Sequence, residues 1–98
     1  MSNTEYISLN ENEVRAIELT IRDQNDVPFY PDSAFTSIKD INRDDVVVET
    51  NAMIVGNKIS TLVSTTVTST LGTYFIFWKI VKGTYVYYHK TTVTVREM

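Results

Sequence analysis

A chain of 98 residues, 43% hydrophobic and 21% charged, is long enough for one core and too apolar to be disordered. It has no cysteine, which excludes a disulfide framework, a thiolate metal site and a cysteine nucleophile, so stability must come from packing. The formal net charge is −3, and the nine Lys and Arg residues are scattered from Arg15 to Arg96, which leaves no basic cluster for nucleic acid or a membrane surface.

Residues 1–12 are polar and lack the apolar stretch of a signal peptide. The longest apolar run, residues 74–81, is interrupted by Lys79 and has the length of a strand, not of a membrane span. A chain that opens on Met and ends without a tail is expected to be a complete short reading frame. It reads as a single domain over residues 1–98, with residues 1–4 as a flexible N-terminal end.

Roughly a third of the residues are Val, Ile or Thr, which fit a pleated half-buried surface and disfavour helix. The first strand is expected over residues 5–9, followed by a turn at Asn10-Glu11-Asn12-Glu13. The second covers residues 14–22, where Ile17, Leu19 and Ile21 alternate with Glu18, Thr20 and Arg22, so one face packs and the other meets water. Residues 23–28 form a strong turn signal. Phe29 and Tyr30 follow in a connection expected to plug the end of the core. A third strand is expected over residues 34–40, a turn at residues 42–45, and a short edge strand over residues 46–50. Residues 52–55 are ambiguous. After Gly56-Asn57, residues 58–64 resume as a strand with Ile59, Thr61 and Val63 on one face. The polar, β-branched residues 65–70 either extend that strand or cross between sheets. As a free edge, this stretch would invite pairing with another subunit.

Residues 73–81 carry the strongest strand signal. Tyr74, Ile76, Trp78 and Ile80 lie on one face and Phe75, Phe77, Lys79 and Val81 on the other, so the strand is central or its second face is covered by a partner. A tight two-residue turn at Lys82-Gly83 leads to the last strand, residues 84–96. About seven or eight short strands with regular turn signals make an all-β, antiparallel β-sandwich.

Thr70, Gly72, Tyr74 and Ile76, each two residues apart, resemble the start of the sixth strand of immunoglobulin-like domains, which places an acid, then Gly or Ala, then Tyr, then Cys. The resemblance makes Tyr74 the corner tyrosine, bonded back to the upstream chain. It puts Ile76 at the disulfide position, facing Leu19. Thr stands for the acid, both cysteines are missing, and Trp78 sits on this strand instead of the third, so only the sandwich architecture carries over.

The layout of a leading polar strand (residues 5–9), a long strand with an Asp-rich turn and Pro (residues 14–28) and a Gly-Thr-Tyr strand (residues 72–80) is also similar to the immunoglobulin-like modules of tailed-phage virion proteins. That resemblance implies a structural accessory protein of the virion, assembled in the host cytoplasm. Its place would be capsid decoration or head fibre, or tail or baseplate, with other virion proteins, and possible copies of itself as a homo-oligomer, for partners.

Asp23, Asn25 and Asp26 have the oxygen chemistry and spacing of a weak calcium candidate. The competing reading is a turn whose side chains bond their own backbone. His89 is the sole histidine; with no nucleophile elbow or glycine-rich catalytic turn, it reads as a solvent-facing strand residue and the chain as no enzyme. No cofactor is implied. The candidate interaction face is aromatic: Phe75 and Phe77 on one strand, Tyr85, Tyr87 and His89 on the next. Its partner would be a virion protein by protein–protein interaction, or alternatively a carbohydrate stacked on the rings.

Overall fold

Strands form wherever apolar and polar residues alternate between turn-forming residues. The computed structural model describes residues 4–23 and 25–97, with Thr4 and Glu5 described by their backbone alone. The chain runs β1 (Thr4–Asn10), β2 (Arg15–Thr20), β3 (Ser33–Asp40), β4 (Asp45–Asn51), β5 (Met53–Val55), β6 (Lys58–Val63), α1 (Thr65–Thr68), β7 (Gly72–Lys82) and β8 (Tyr85–Arg96). Of the expected flexible end, Thr4 opens β1 and residues 1–3 lie outside the described residues.

Two sheets result, one with the order β1-β8-β7-β3-β4 and one with the order β2-β6-β5. The orders match an immunoglobulin-like sandwich in which β2, β5 and β6 stand for strands B, D and E, and β3, β7 and β8 for C, F and G. The pairing is antiparallel except between β1 and β8, which run parallel. The sandwich is antiparallel as expected, with this one parallel pair at the edge, where β1 lies in the sheet opposite to β2.

The core is built from alternate residues of both sheets. Ile17, Leu19, Ile59 and Val63 from the smaller sheet share one cluster with Leu9, Ile38, Ile76, Trp78 and Val93 from the larger. Leu19 and Ile76, at the positions expected to face each other, are both buried in it. Tyr74 is the corner tyrosine, its hydroxyl donating to Thr70 O at 2.9 Å. Trp78 is wholly buried, and its indole N–H donates to Thr91 Oγ1 at 3.0 Å. Burying the ring without that acceptor would leave a desolvated donor, at a cost of about 1–3 kcal/mol.

Residues 65–70 neither extend β6 nor offer an edge. They cross between the sheets through α1, one helical turn capped by Ser64, whose hydroxyl accepts from Thr66 N. β-Branched residues are poor helix formers. Here tertiary contacts override that preference: Val67 and Thr68 are buried, and Thr68 Oγ1 donates to Glu13 O at 2.7 Å. Residues 52–55 resolve into β5, a three-residue edge strand. Phe29 packs against the core as expected, whereas Tyr30 is exposed.

Candidate interaction surface

The β7–β8 hairpin dominates the surface because its strands outrun the sheet they cover. β7 has 11 residues and β8 has 12, against six each for β2 and β6. At a rise of about 3.3 Å per residue, eleven residues span about 36 Å and six about 20 Å. The longest dimension of the molecule, 39 Å, is of the hairpin's length. On β8, full burial starts only at Thr91, residues 89 and 90 are half-buried, and residues 85–88 are exposed.

Lys82 pairs with Tyr85, so the turn is Gly83-Thr84, one residue later than the sequence suggested. Gly83 takes a φ of 59°, and a first-position glycine is the mark of the type II′ hairpin turn. The connection from residue 28 to residue 32 ties this tip down. Asp32 N–H donates to Val81 O at 2.8 Å, and Gly83 N–H donates to Asp32 Oδ2 at 2.6 Å. Lys82 Nζ lies 3.7 Å from the other carboxylate oxygen.

Register decides which aromatics share a face. Ile80 lies opposite Tyr87 and Trp78 opposite His89, so Tyr85, Tyr87 and His89 are in phase with the core side of β7. Phe75, Phe77 and Lys79 lie opposite Thr92, Lys90 and Tyr88 on the outer side. The five aromatic and histidine positions proposed as one face therefore fall on two. A two-residue loop pairs odd positions of one strand with even positions of the other. That parity, legible in the sequence, already separates Phe75 and Phe77 from Tyr85 and Tyr87.

At the tip, Tyr85 and Tyr87 stack with centroids 6.4 Å apart and planes 29° from parallel, and Phe29 meets Tyr87 edge-on at 5.5 Å. Tyr85 is 67% exposed and Tyr87 46%. His89, expected to face solvent, is half-buried. On the outer face, Phe75 and Phe77 are half-buried, and lysines lie over two of its rings: Lys90 Nζ is 5.1 Å from the Phe75 centroid, and Lys79 Nζ 5.6 Å from that of Phe35. Lysine stems lying along apolar rings in this way shield a sheet. The exposed aromatic there is Tyr88, at 73%, beside a shallow depression of about 250 Å³ bordered by Phe35, Lys39, Glu49 and Phe77. The candidate face read from the sequence did not include Tyr88.

The candidate calcium residues form a turn. Asp23 Oδ1 accepts from Asn25 N at 2.8 Å and from Val27 N at 3.0 Å. Asp40 repeats the construction, accepting from Asn42 N at 2.9 Å and from Asp44 N at 3.0 Å. Each loop closes on a left-handed residue, Asp26 at φ 63° and Arg43 at φ 66°. Asp26 turns to Arg22, with 3.7 Å between carboxylate and guanidinium. Gln24 lies outside the described residues. Among those described, no group of three or more His, Asp or Glu side chains converges on a metal position. The backbone N–H of Asn10, and then Arg15, hold the Glu13 carboxyl below the usual carboxylate range.

No family model matches the sequence, and no curated protein does. Among solved structures, the fold is similar to a chimeric titin Z1Z2 functionalized with a KLER exogenous peptide from decorin. The TM-score is 0.55 at 10% identity, over 97% of this chain and 88% of that one. Similarity at that identity speaks for the fold, in agreement with the strand orders, the corner tyrosine and the absence of cysteine: the chain is an all-β, immunoglobulin-like sandwich.

Proposed function

We propose that this domain is a non-enzymatic interaction module that docks on its partner through the tip of the β7–β8 hairpin. The observation that carries the reading is the exposure of tyrosines on both faces of the tip, Tyr85 and Tyr87 on one and Tyr88 on the other. Large aromatic rings bury much area at low entropic cost, which is why they anchor interfaces. The Asp32 bonds hold the tip in place before any partner arrives, so little ordering is required on binding.

The setting we propose is a tailed-phage particle, with the domain as an accessory part docked on a capsid or tail protein. Its support is the sequence layout described above. The test is affinity capture of the tagged chain from a lysate of infected cells, with mass spectrometry of the retained proteins. Capsid, portal or tail proteins are expected with the wild-type chain and are expected to be lost with Tyr85→Ser/Tyr87→Ser/Tyr88→Ser. Capture that this triple variant leaves intact would remove the hairpin tip from the reading.

The second reading is a carbohydrate-binding module. The near-parallel pair of Tyr85 and Tyr87 favours it, since flat aromatic platforms suit sugar rings. Retention of cell-wall glycan, without any virion protein, would promote this reading over the first.

A further inference from the structure

We infer that β2 is the docking edge for a second copy of the same chain, joined antiparallel across a two-fold axis at Thr20. This goes beyond the hairpin reading and does not depend on it.

In the immunoglobulin-like sandwich, the B-E-D sheet ordinarily carries a further strand beside B. Here β1 pairs in the other sheet, with β8, and β2 is left as an edge. The open backbone groups follow from the ladder. Ile21 N–H donates to Asn57 O at 2.8 Å, and Ile21 O accepts from Asn57 Nδ2 at 3.1 Å, so Ile21 turns its backbone toward β6. In an antiparallel ladder, alternate residues turn opposite ways. The N–H and C=O groups of Ala16, Glu18 and Thr20 therefore point to the open side. The chain from Val27 to Phe29 bonds to Ile21 and Asp23 on the β6 side, which leaves Arg22 open as well. Among the described residues, no strand pairs with that side of β2.

Protein edges are usually protected by short length, bulges or proline. β5 has three residues, and the β3–β4 ladder carries register shifts. β2 is regular along its whole pairing with β6. β1 is regular too, but its residues from Tyr6 to Asn10 carry no charge that could set a register.

On β2 the charges are self-complementary. A two-fold axis at Thr20 sets Thr20 against its own copy and Glu18 against the partner's Arg22, twice by symmetry. On the core side the same register sets Leu19 against the partner's Ile21, which is half-buried in one copy alone. An axis at Glu18 would oppose two like charges, and an axis at Leu19 would set Glu18 against threonine. Opposite charges directly across a ladder stabilise it and like charges weaken it, so the Thr20 register is selected. The contacts to be given up are weak: Glu18 Oε1 lies 3.6 Å from Lys58 Nζ, and Arg22 Nε 3.7 Å from Asp26 Oδ1. Joining the edges extends the smaller sheet across both copies, an isologous contact of the kind a closed dimer requires.

Sedimentation equilibrium of the chain from micromolar to millimolar concentration reads the association. A monomer–dimer equilibrium is expected. Thr20→Pro removes the central open N–H at a position where an edge strand tolerates proline, and is expected to leave a folded monomer. Glu18→Arg sets two guanidinium groups face to face at both ends of the ladder and is expected to raise the dimer Kd about tenfold. Glu18→Arg/Arg22→Glu restores the opposition and is expected to bring Kd back toward the wild-type value. This charge exchange decides the matter even if the proline variant fails to fold. A chain that stays monomeric to millimolar concentration, or a dimer indifferent to Glu18→Arg, would overturn the inference.

Discussion

The base and the tip of the β7–β8 hairpin obey the same alternation and reach opposite environments. At the base, Ile76, Trp78, Thr91 and Val93 are sealed between the sheets; at the tip, Tyr85 and Tyr87, in phase with them, are open to solvent. The difference is one of reach, since β2 and β6 stop short while the hairpin continues. Alternation assigns a side chain to a face. Burial requires something on the far side of that face.

The contrast predicts a steep gradient of mutational cost along one hairpin. The largest effect is expected for Trp78→Ala, about 3–5 kcal/mol by urea denaturation, because it opens a cavity in the covered half. Against a typical total of about 5–15 kcal/mol, such a loss leaves a marginal domain. A cost near that of the tip residues would break the comparison. Tyr74→Phe keeps the ring and strips the corner bond to Thr70 O, for an expected loss of about 1 kcal/mol in the same assay. At the tip, Tyr87→Ala gives up the edge contact with Phe29 and is expected to cost about 0.5–1.5 kcal/mol. Tyr85→Ala is expected to stay within about 0.5 kcal/mol. Loss of partner capture by Tyr85→Ala at unchanged stability would separate the roles of the two halves.

The smallest effect lies away from the hairpin. The folded chain holds the Glu13 carboxyl below its ordinary value of 4.5, so the unfolded chain takes up the proton first as pH falls. The group's contribution is therefore present above about pH 4.5 and lost as pH falls through the lower native value. Glu13→Gln is expected to lower the melting temperature slightly at neutral pH and to leave it nearly unchanged at pH below the native value, which flattens the acid limb of the profile.

Much of the architecture was legible from residue types. The turn at residues 23–28 was readable because Asp and Asn side chains bond their own backbone, as Asp23 does. Tyr74 was readable because the order Thr70, Gly72, Tyr74 resembles the immunoglobulin-like corner, whose tyrosine bonds back to the upstream chain, as it does here. Alternation put Tyr74, Ile76, Trp78 and Ile80 on one face of β7, but both faces are apolar and only the structure shows that this face is the buried one. The candidate site was less legible. Grouping Phe75 and Phe77 with Tyr85 and Tyr87 matched residues by chemistry where pairing parity separates them. Tyr88, the most exposed of the hairpin tyrosines, was left out for the same reason.

The sequence by itself determined local geometry: which residues alternate, where the chain must turn, and that no cysteine holds the core. Those properties depend on side chains a few positions apart. Only the tertiary structure decided that β1 joins β8 in parallel, that residues 65–68 coil into a helical turn against Glu13, and that one hairpin end passes beyond the opposite sheet. Each of these depends on partners distant in the chain, where contact and cover outweigh local propensity.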